Sequence, residues 1–479
     1  MTANPLAQTA VGGTLLSNGL LVAIVALVHI QIATYITGSC TIAWVSEAIS
    51  IARGGDERHD RLATSIVRSW AYIFAFGSAI GIFFVMLVLL GFWGKFFVAL
   101  QQITFGAFFF ESIAFLVEVA LIYTLYANWE RLRRYRRARL GMLILLNIDL
   151  FWQMFFIDVV ASFMLTPNGG DANLLDQFLN PSNIPLTIHR TIGNVAWAGA
   201  VLAFAGAFQY LRASRGLEPA AAPARAGAPV RSVGAMDADE APAEPPEVRE
   251  TRHWDWVGQW GAIWVVGLTT LQPWVGYSYA KEVQLHAYPA WYDMMFGDLS
   301  NVFLFQLTLL GTIFTVGTAY FWRRMKASGA THHRRQGVIA ILLAVVTLFA
   351  AQPAWFAWTY ADVVAQGLAR PWWQGGLLNP IGNFIPYKVG ALFALVFLGL
   401  ASVTSYMRAY SRDEMKPGRV GRRNQGLLLA LGVVVSTMMI VMGVIREHSR
   451  QPFLISGELT IQHQQTLNNQ PSQLGGTAR

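Results

Sequence analysis

Ten runs of about twenty apolar residues constrain this chain more than any other feature of it. A helix needs about 20 such residues to cross the hydrocarbon of a bilayer. Inside lipid a chain must also satisfy its backbone N–H and C=O groups internally, which helices do. The runs fall at roughly 18–45, 66–92, 98–127, 141–165, 189–212, 256–277, 299–322, 337–359, 384–408 and 426–446. The third and sixth are the hardest to bound. The expected fold is an all-α integral membrane bundle of about ten transmembrane helices.

Charge supports this reading. Charged residues make up 13% of the chain and hydrophobic ones 54%, where a soluble domain carries about 25% charged residues. The net charge of +8 suggests nucleic acid at first sight. The basic residues, however, lie in short loops between the runs. Arg53, Arg58, Arg61 and Arg68 follow the first run, and "RLRRYRRAR" follows the third. Arg212 and Arg215 follow the fifth, "RRMKASGATHHRR" the seventh, and Arg408, Arg412, Lys416, Arg419, Arg422 and Arg423 the ninth. All fall on one side, which the positive-inside rule places in the cytoplasm, with both termini outside. No nucleic-acid partner is expected; the partner is lipid.

Residues 213–250 are rich in Ala, Pro and charge and read as a disordered cytoplasmic linker. It separates a first five-helix half, 1–212, from a second, 251–479. The single cysteine, Cys40, excludes a disulfide framework and Cys-based metal sites. The N-terminus has no basic n-region, so no cleaved signal peptide is expected.

Ionisable groups within lipid are costly and usually functional. His29 lies about eleven residues into the first run. Glu111 and Glu118, seven apart in the third, share a helix face. Asp149 and Asp158 lie in the fourth, where basic groups of other helices are available as partners. His189 stands at the start of the fifth run, Lys388 just inside the ninth, and Arg446, Glu447 and His448 at the end of the tenth. Two buried histidines without cysteine point to haem, whose iron commonly takes imidazole as an axial ligand. The glutamate face points to a proton path. The alternatives are plain: a membrane histidine can bond a neighbouring helix, the glutamates can form a polar seam in a haem-free transporter, and Lys388 and Glu447 can snorkel. His59, His332 and His333 lie in basic loops and are expected to be solvated.

Several stretches, in this order, resemble subunit I of the cytochrome bd quinol oxidases. "LVHIQIATYITG" resembles the first-helix segment carrying a haem-ligating histidine, here His29. "FGAFFFESIAFL" followed by "ANWERL" resembles the third helix, with Glu111 in the place of its proton-path glutamate. "NPSNIPLTIHRTIGN" resembles the stretch with the low-spin haem b histidine, here His189, and "REHSRQPF" resembles the Glu-Tyr-Gly-Arg-Gln-Pro-Trp signature. That puts Glu447 where a high-spin haem is ligated and Arg450 in the place of the signature arginine. Arg446 and Arg450 are then propionate partners, and His448 an alternative ligand or propionate donor.

The resemblance implies two or three haems, of type b with haem d as the alternative at one. It also implies a second membrane subunit, and quinol or a periplasmic cytochrome as donor. Electrons would enter near His189 and reach the haems of His29 and Glu447; protons would rise past Glu118 and Glu111. Departures weaken parts of this. Ile103 stands where a second glutamate belongs. Lys388 and Gly390 replace an arginine and the methionine expected to pair with the low-spin haem. Two extra helices, about 299–322 and 337–359, occupy the place of the external quinol loop. A haem b relay that does not reduce oxygen is the alternative these departures favour.

Overall fold

The computed structural model describes residues 18–167, 173–214, 245–295, 299–351, 367, 384–415 and 421–449. Among the described residues the chain is helical, with no strand. In chain order the helices are α1 Asn18–Ala52, α2 Glu57–Phe83, a π-helical segment Phe84–Leu89, α3 Leu90–Ile103, α4 Phe105–Leu132 and α5 Arg136–Leu165. Then follow α6 Leu174–Phe178, α7 Asn183–Ala213, α8 Pro246–Thr269, α9 Gln272–His286 and α10 Tyr288–Met295. The last four are α11 Ser300–Ser328, α12 His333–Ala351, α13 Phe384–Ser411 and α14 Arg422–Ser449.

Among the described residues, seven continuous helical stretches are long and apolar enough to cross a membrane. One of them, Phe105–Leu165, holds both α4 and α5, which pack on each other about the 3-10 turn Arg133–Tyr135. The protein is an all-α, multi-pass membrane bundle.

Two boundaries differ from the sequence reading. The second and third runs do not divide near residue 98. Helical backbone continues from Glu57 through the π segment to Ile103 and breaks at Thr104, whose φ is −103° and ψ 30°. The Thr104 hydroxyl donates to Leu100 O at 2.8 Å, closing the helix end. Segments of 27, 6 and 14 residues would span about 70 Å if straight, against about 30 Å of hydrocarbon. α3 instead packs Phe96 and Leu100 against Val159, Val160 and Phe163 of α5. The sixth run also divides. α8 ends at Thr269, and α9 begins with Pro273 in its first turn, where a missing N–H breaks no helix bond.

α7 is central, packing on α8, α1, α14, α5 and α9. Its contact with α8 is made by small residues, as close approach between membrane helices requires. A Cβ on Gly261 would stand 2.5 Å from Ala203 N, and one on Gly206 2.5 Å from Gly258 N. In the second half a fully buried ion pair joins α8 to α11. Arg324 donates Nη1 and Nη2 to the two oxygens of Asp255 at 2.9 and 3.0 Å, and Gln425 of α14 adds a bond to Asp255 at 3.0 Å.

The arginine-rich end of the first half is less solvated than the sequence suggests. Arg139, fully buried, donates to Glu47 of α1 and Asp60 of α2, both at 2.5 Å. Arg136 reaches Glu47 at 3.3 Å and Asp60 at 3.4 Å, and Arg133 reaches Asp60 at 3.3 Å. His59, expected in solvent, is 2% exposed. It sits edge-on to Trp256 and Trp260 of α8, at 4.9 and 5.4 Å between ring centres. The apolar ring faces of α8 displace water from it, which the loop's charge did not reveal. His332 is exposed as expected.

Candidate functional site

His29 projects from α1 towards α2. Its Nδ1 lies 3.2 Å from Gly77 O. A carbonyl only accepts, so this contact places the proton on Nδ1 and leaves the Nε2 lone pair open, the arrangement of a metal-ligating imidazole. Gly81, one turn further on, makes room for the ring: a Cβ there would stand 2.9 Å from Cε1. The π segment begins three residues later, and π turns in α-helices cluster at functional sites.

A second group lies between α5, α7 and α14. Asp158 of α5 is fully buried and accepts from Arg190 and, at 3.2 Å, from the Thr187 hydroxyl, both on α7. Arg446 of α14 acts on the same carboxylate through its charge. The expected pairing of Asp158 with basic groups is therefore present. His189 adjoins Arg190, so the structure gathers His189, Arg190, Asp158 and Arg446. α9, which the sequence reading merged with its sixth run, closes this group. Gln272 Nε2 donates to His189 O at 3.0 Å, and Gly276 faces the imidazole, where a Cβ would lie 3.4 Å from Cε1. His189 Nδ1 is sealed from solvent with no hydrogen-bond partner among the described residues.

α1 stands between the two histidine surroundings. Leu27 and Gln31, one turn apart, face α14: Gly443 abuts Leu27, and Ser436 donates to Gln31 Oε1 at 2.8 Å. His29, midway between them in sequence, points the other way. α1 and α7 meet where a Cβ on Gly38 would collide with the Asn194 carbonyl.

The acidic residues form a third group between α4 and α5. Glu118 is buried and accepts from Gln153 Nε2 at 3.0 Å. Glu111 and Asp149 both lie close enough to act on Glu118 electrostatically. Asp149 Oδ2 is sealed with no partner among the described residues, so Asp149 joins the acids rather than a basic group. Sequence reasoning missed Gln153; its place four residues after Asp149, on the same helix face, was the available signal. Ile103, the last residue of α3, gives its carbonyl to Gln177 at 2.9 Å.

Arg450 lies outside the described residues. For Lys388, Glu447 and His448 the structure describes helical backbone alone. Among the described residues no three His, Cys, Asp or Glu side chains converge as a metal-ion site. Haem needs no such group, because its iron takes one or two axial ligands from protein. The residues present fit haem: one imidazole with a seated Nδ1 and open Nε2, a second imidazole beside two arginines, and a glycine making room at each ring.

The family model for cytochrome bd terminal oxidase subunit I matches residues 19–236. Over that stretch the chain is similar to that family. The match carries His29, Glu111, Glu118, Asp158 and His189, and stops before Lys388, Arg446 and the "REHSRQPF" stretch. Members of that family are membrane oxidase subunits that generally bind haems. No curated protein matches it.

Proposed function

We propose that the chain is the haem-carrying membrane subunit of a divergent bd-type terminal oxidase. It lies in the bacterial inner membrane with its arginine-rich end in the cytoplasm and both termini outside, beside a second membrane subunit. The carrying observation is His29: a helix-borne imidazole seated on the Gly77 carbonyl, with its other nitrogen open in an apolar surround. Bound haem b, in two or three copies with haem d as the alternative in one, would supply one-electron redox chemistry and an iron that binds small gases.

The protein's own residues do the rest. His29 and His189 offer axial nitrogens, and Glu447 offers a carboxylate by resemblance to the family signature. Arg190 and Arg446 carry two positive charges against the single negative charge of Asp158. The cluster is thus net cationic and suited to a propionate. Lys388, His448 and Arg450 remain propionate or ligand candidates by resemblance. Glu118 and Glu111 hold and pass protons along α4, with Gln153 fixing one Glu118 oxygen and leaving the other free. Quinol or a periplasmic cytochrome supplies electrons, and the folded halves 1–212 and 251–479 flank the linker 213–250.

A reduced-minus-oxidised spectrum of the purified protein, with and without carbon monoxide, tests this. A high-spin haem that binds carbon monoxide and is lost in His29→Ala is the expected result. Spectra without haem bands would overturn it. Low-spin haem b alone would favour the second reading, an electron relay that does not reduce oxygen. Its supporting observation is Ile103, an apolar residue where a second proton-carrying glutamate belongs.

A further inference from the structure

We infer that Gln272, the first residue of α9, is a positioning residue for His189 and sets the electron richness of its imidazole. This rests on His189 being a haem ligand.

Three contacts converge on one histidine. Gln272 Nε2 donates to the His189 backbone carbonyl at 3.0 Å. That carbonyl belongs to α7, so the bond ties the turn bearing the imidazole to a helix of the second half. The amide reaches it because residue 193 is glycine: a Cβ there would stand 2.9 Å from Gln272 Nε2. One turn further along α9, Gly276 leaves the imidazole its space. Glutamine and glycine at this spacing form a wall shaped to the His189 ring.

The hydrogen-bond inventory supplies the second argument. A neutral imidazole that gives Nε2 to a metal carries its proton on Nδ1 and needs an acceptor there. His189 Nδ1 is buried and unpaired among the described residues, and so is Gln272 Oε1. A donor and an acceptor, each costly to leave unmet, are held on neighbouring residues. The Gln272 carboxamide can bring that acceptor to the ring by turning its Oε1 towards Nδ1, in exchange for its Nε2 bond to the His189 carbonyl. His29 shows the same provision met differently, by the Gly77 carbonyl.

An acceptor on Nδ1–H pushes electron density onto the metal-bound nitrogen and stabilises the ferric over the ferrous state. The sign of the effect is then fixed. Gln272→Leu removes the acceptor and should raise the midpoint potential of the His189 haem, with roughly 10- to 100-fold weaker haem retention. Gln272→Glu, close in shape, supplies a charged acceptor and should lower the potential.

The experiment is a spectroelectrochemical titration of the purified holoprotein and of His189→Ala, Gln272→Leu and Gln272→Glu, each checked for monodispersity. Loss of one low-spin band in His189→Ala, with opposite shifts in the two Gln272 variants, supports the inference. If His189→Ala loses that band but the Gln272 variants shift together or not at all, the inference falls and the haem reading stands. If His189→Ala keeps every band, the reading of His189 falls and takes the inference with it. Should Gln272→Leu fail to fold, the near-isosteric Gln272→Glu still decides: an unchanged or raised potential overturns the inference.

Discussion

Replacing Arg139 with Met should destabilise the bundle by several kcal/mol, and the structure indicates how many. Arg139 is fully buried and meets Glu47 and Asp60 through one nitrogen at 2.5 Å each. The Glu47 side chain is also fully buried. Removing one partner of a buried ion pair typically costs about 3–5 kcal/mol, because the other charge stays desolvated. Arg136 moderates this loss, since it still reaches Glu47 at 3.3 Å and Asp60 at 3.4 Å and is itself partly solvated. The Arg139 guanidinium also lies 4.3 Å from the centre of the Trp129 ring, a contact worth up to about 2 kcal/mol when desolvated. The expected loss is therefore about 3–4 kcal/mol. The assay is a double-mutant cycle of Arg139→Met and Glu47→Gln, read by reversible denaturant unfolding in mixed micelles. Neutralising Glu47 should remove a large part of the Arg139→Met penalty. A penalty below about 1 kcal/mol, or one unchanged by Glu47→Gln, would refute the claim that this pair anchors α5 to α1.

Further expectations follow from other sites. Gly261→Leu should separate α7 from α8 and lower thermal stability far more than Gly91→Leu, whose Cβ meets nothing; equal effects would contradict the packing. Glu447→Gln should remove or convert one high-spin haem signal and spare the His189-dependent band; an unaltered high-spin spectrum would refute ligation. Burial, reinforced by the Arg61 charge and opposed by Glu250, pushes His253 from its usual 6.5 down to about 4. The folded state thus binds fewer protons than the unfolded one in that window. His253 therefore contributes stability that is full above pH 6.5 and falls by about 3 kcal/mol as pH drops towards 4. His253→Gln should flatten the melting-temperature decline between pH 7 and 5, and an identical slope would count against it. Asp158→Asn should loosen Arg190 and Arg446 and shift the His189-linked spectrum, while Asp176→Asn, on an exposed part of α6, should not.

Much of the fold was legible because lipid demands length and apolarity, and both are written along the chain. The rotation of each helix was not. In water an apolar stripe marks the buried face, but in lipid the outer face is apolar too, so the sequence around Ile103 could not distinguish a span's end from its continuation. Polar residues betrayed depth but not partners. Asp158 stood out as an ion in lipid, yet its arginines come from α7 and α14, distant in sequence. Gln153 and Gln272 carry no charge and sit among ordinary polar residues; only the neighbouring helix gives them a role. His59 shows the converse, a residue in a basic loop whose burial comes from Trp256 and Trp260, nearly two hundred positions away.

The π segment Phe84–Leu89 has a consequence for variation in this chain. A π turn closes its hydrogen bonds one residue later than an α turn, so it offsets the angular phase of everything beyond it. The glycines that receive His29 precede the offset, and Phe96 and Leu100, which grip α5, follow it. Substitutions leave that phase intact. Deleting a single residue between 84 and 89 would restore α spacing and leave Phe96 and Leu100 near their present angle, still facing Val159 and Phe163, because the π turn takes up one extra residue. A one-residue loss in this stretch is thus taken up locally and is not passed on to the contact of α3 with α5.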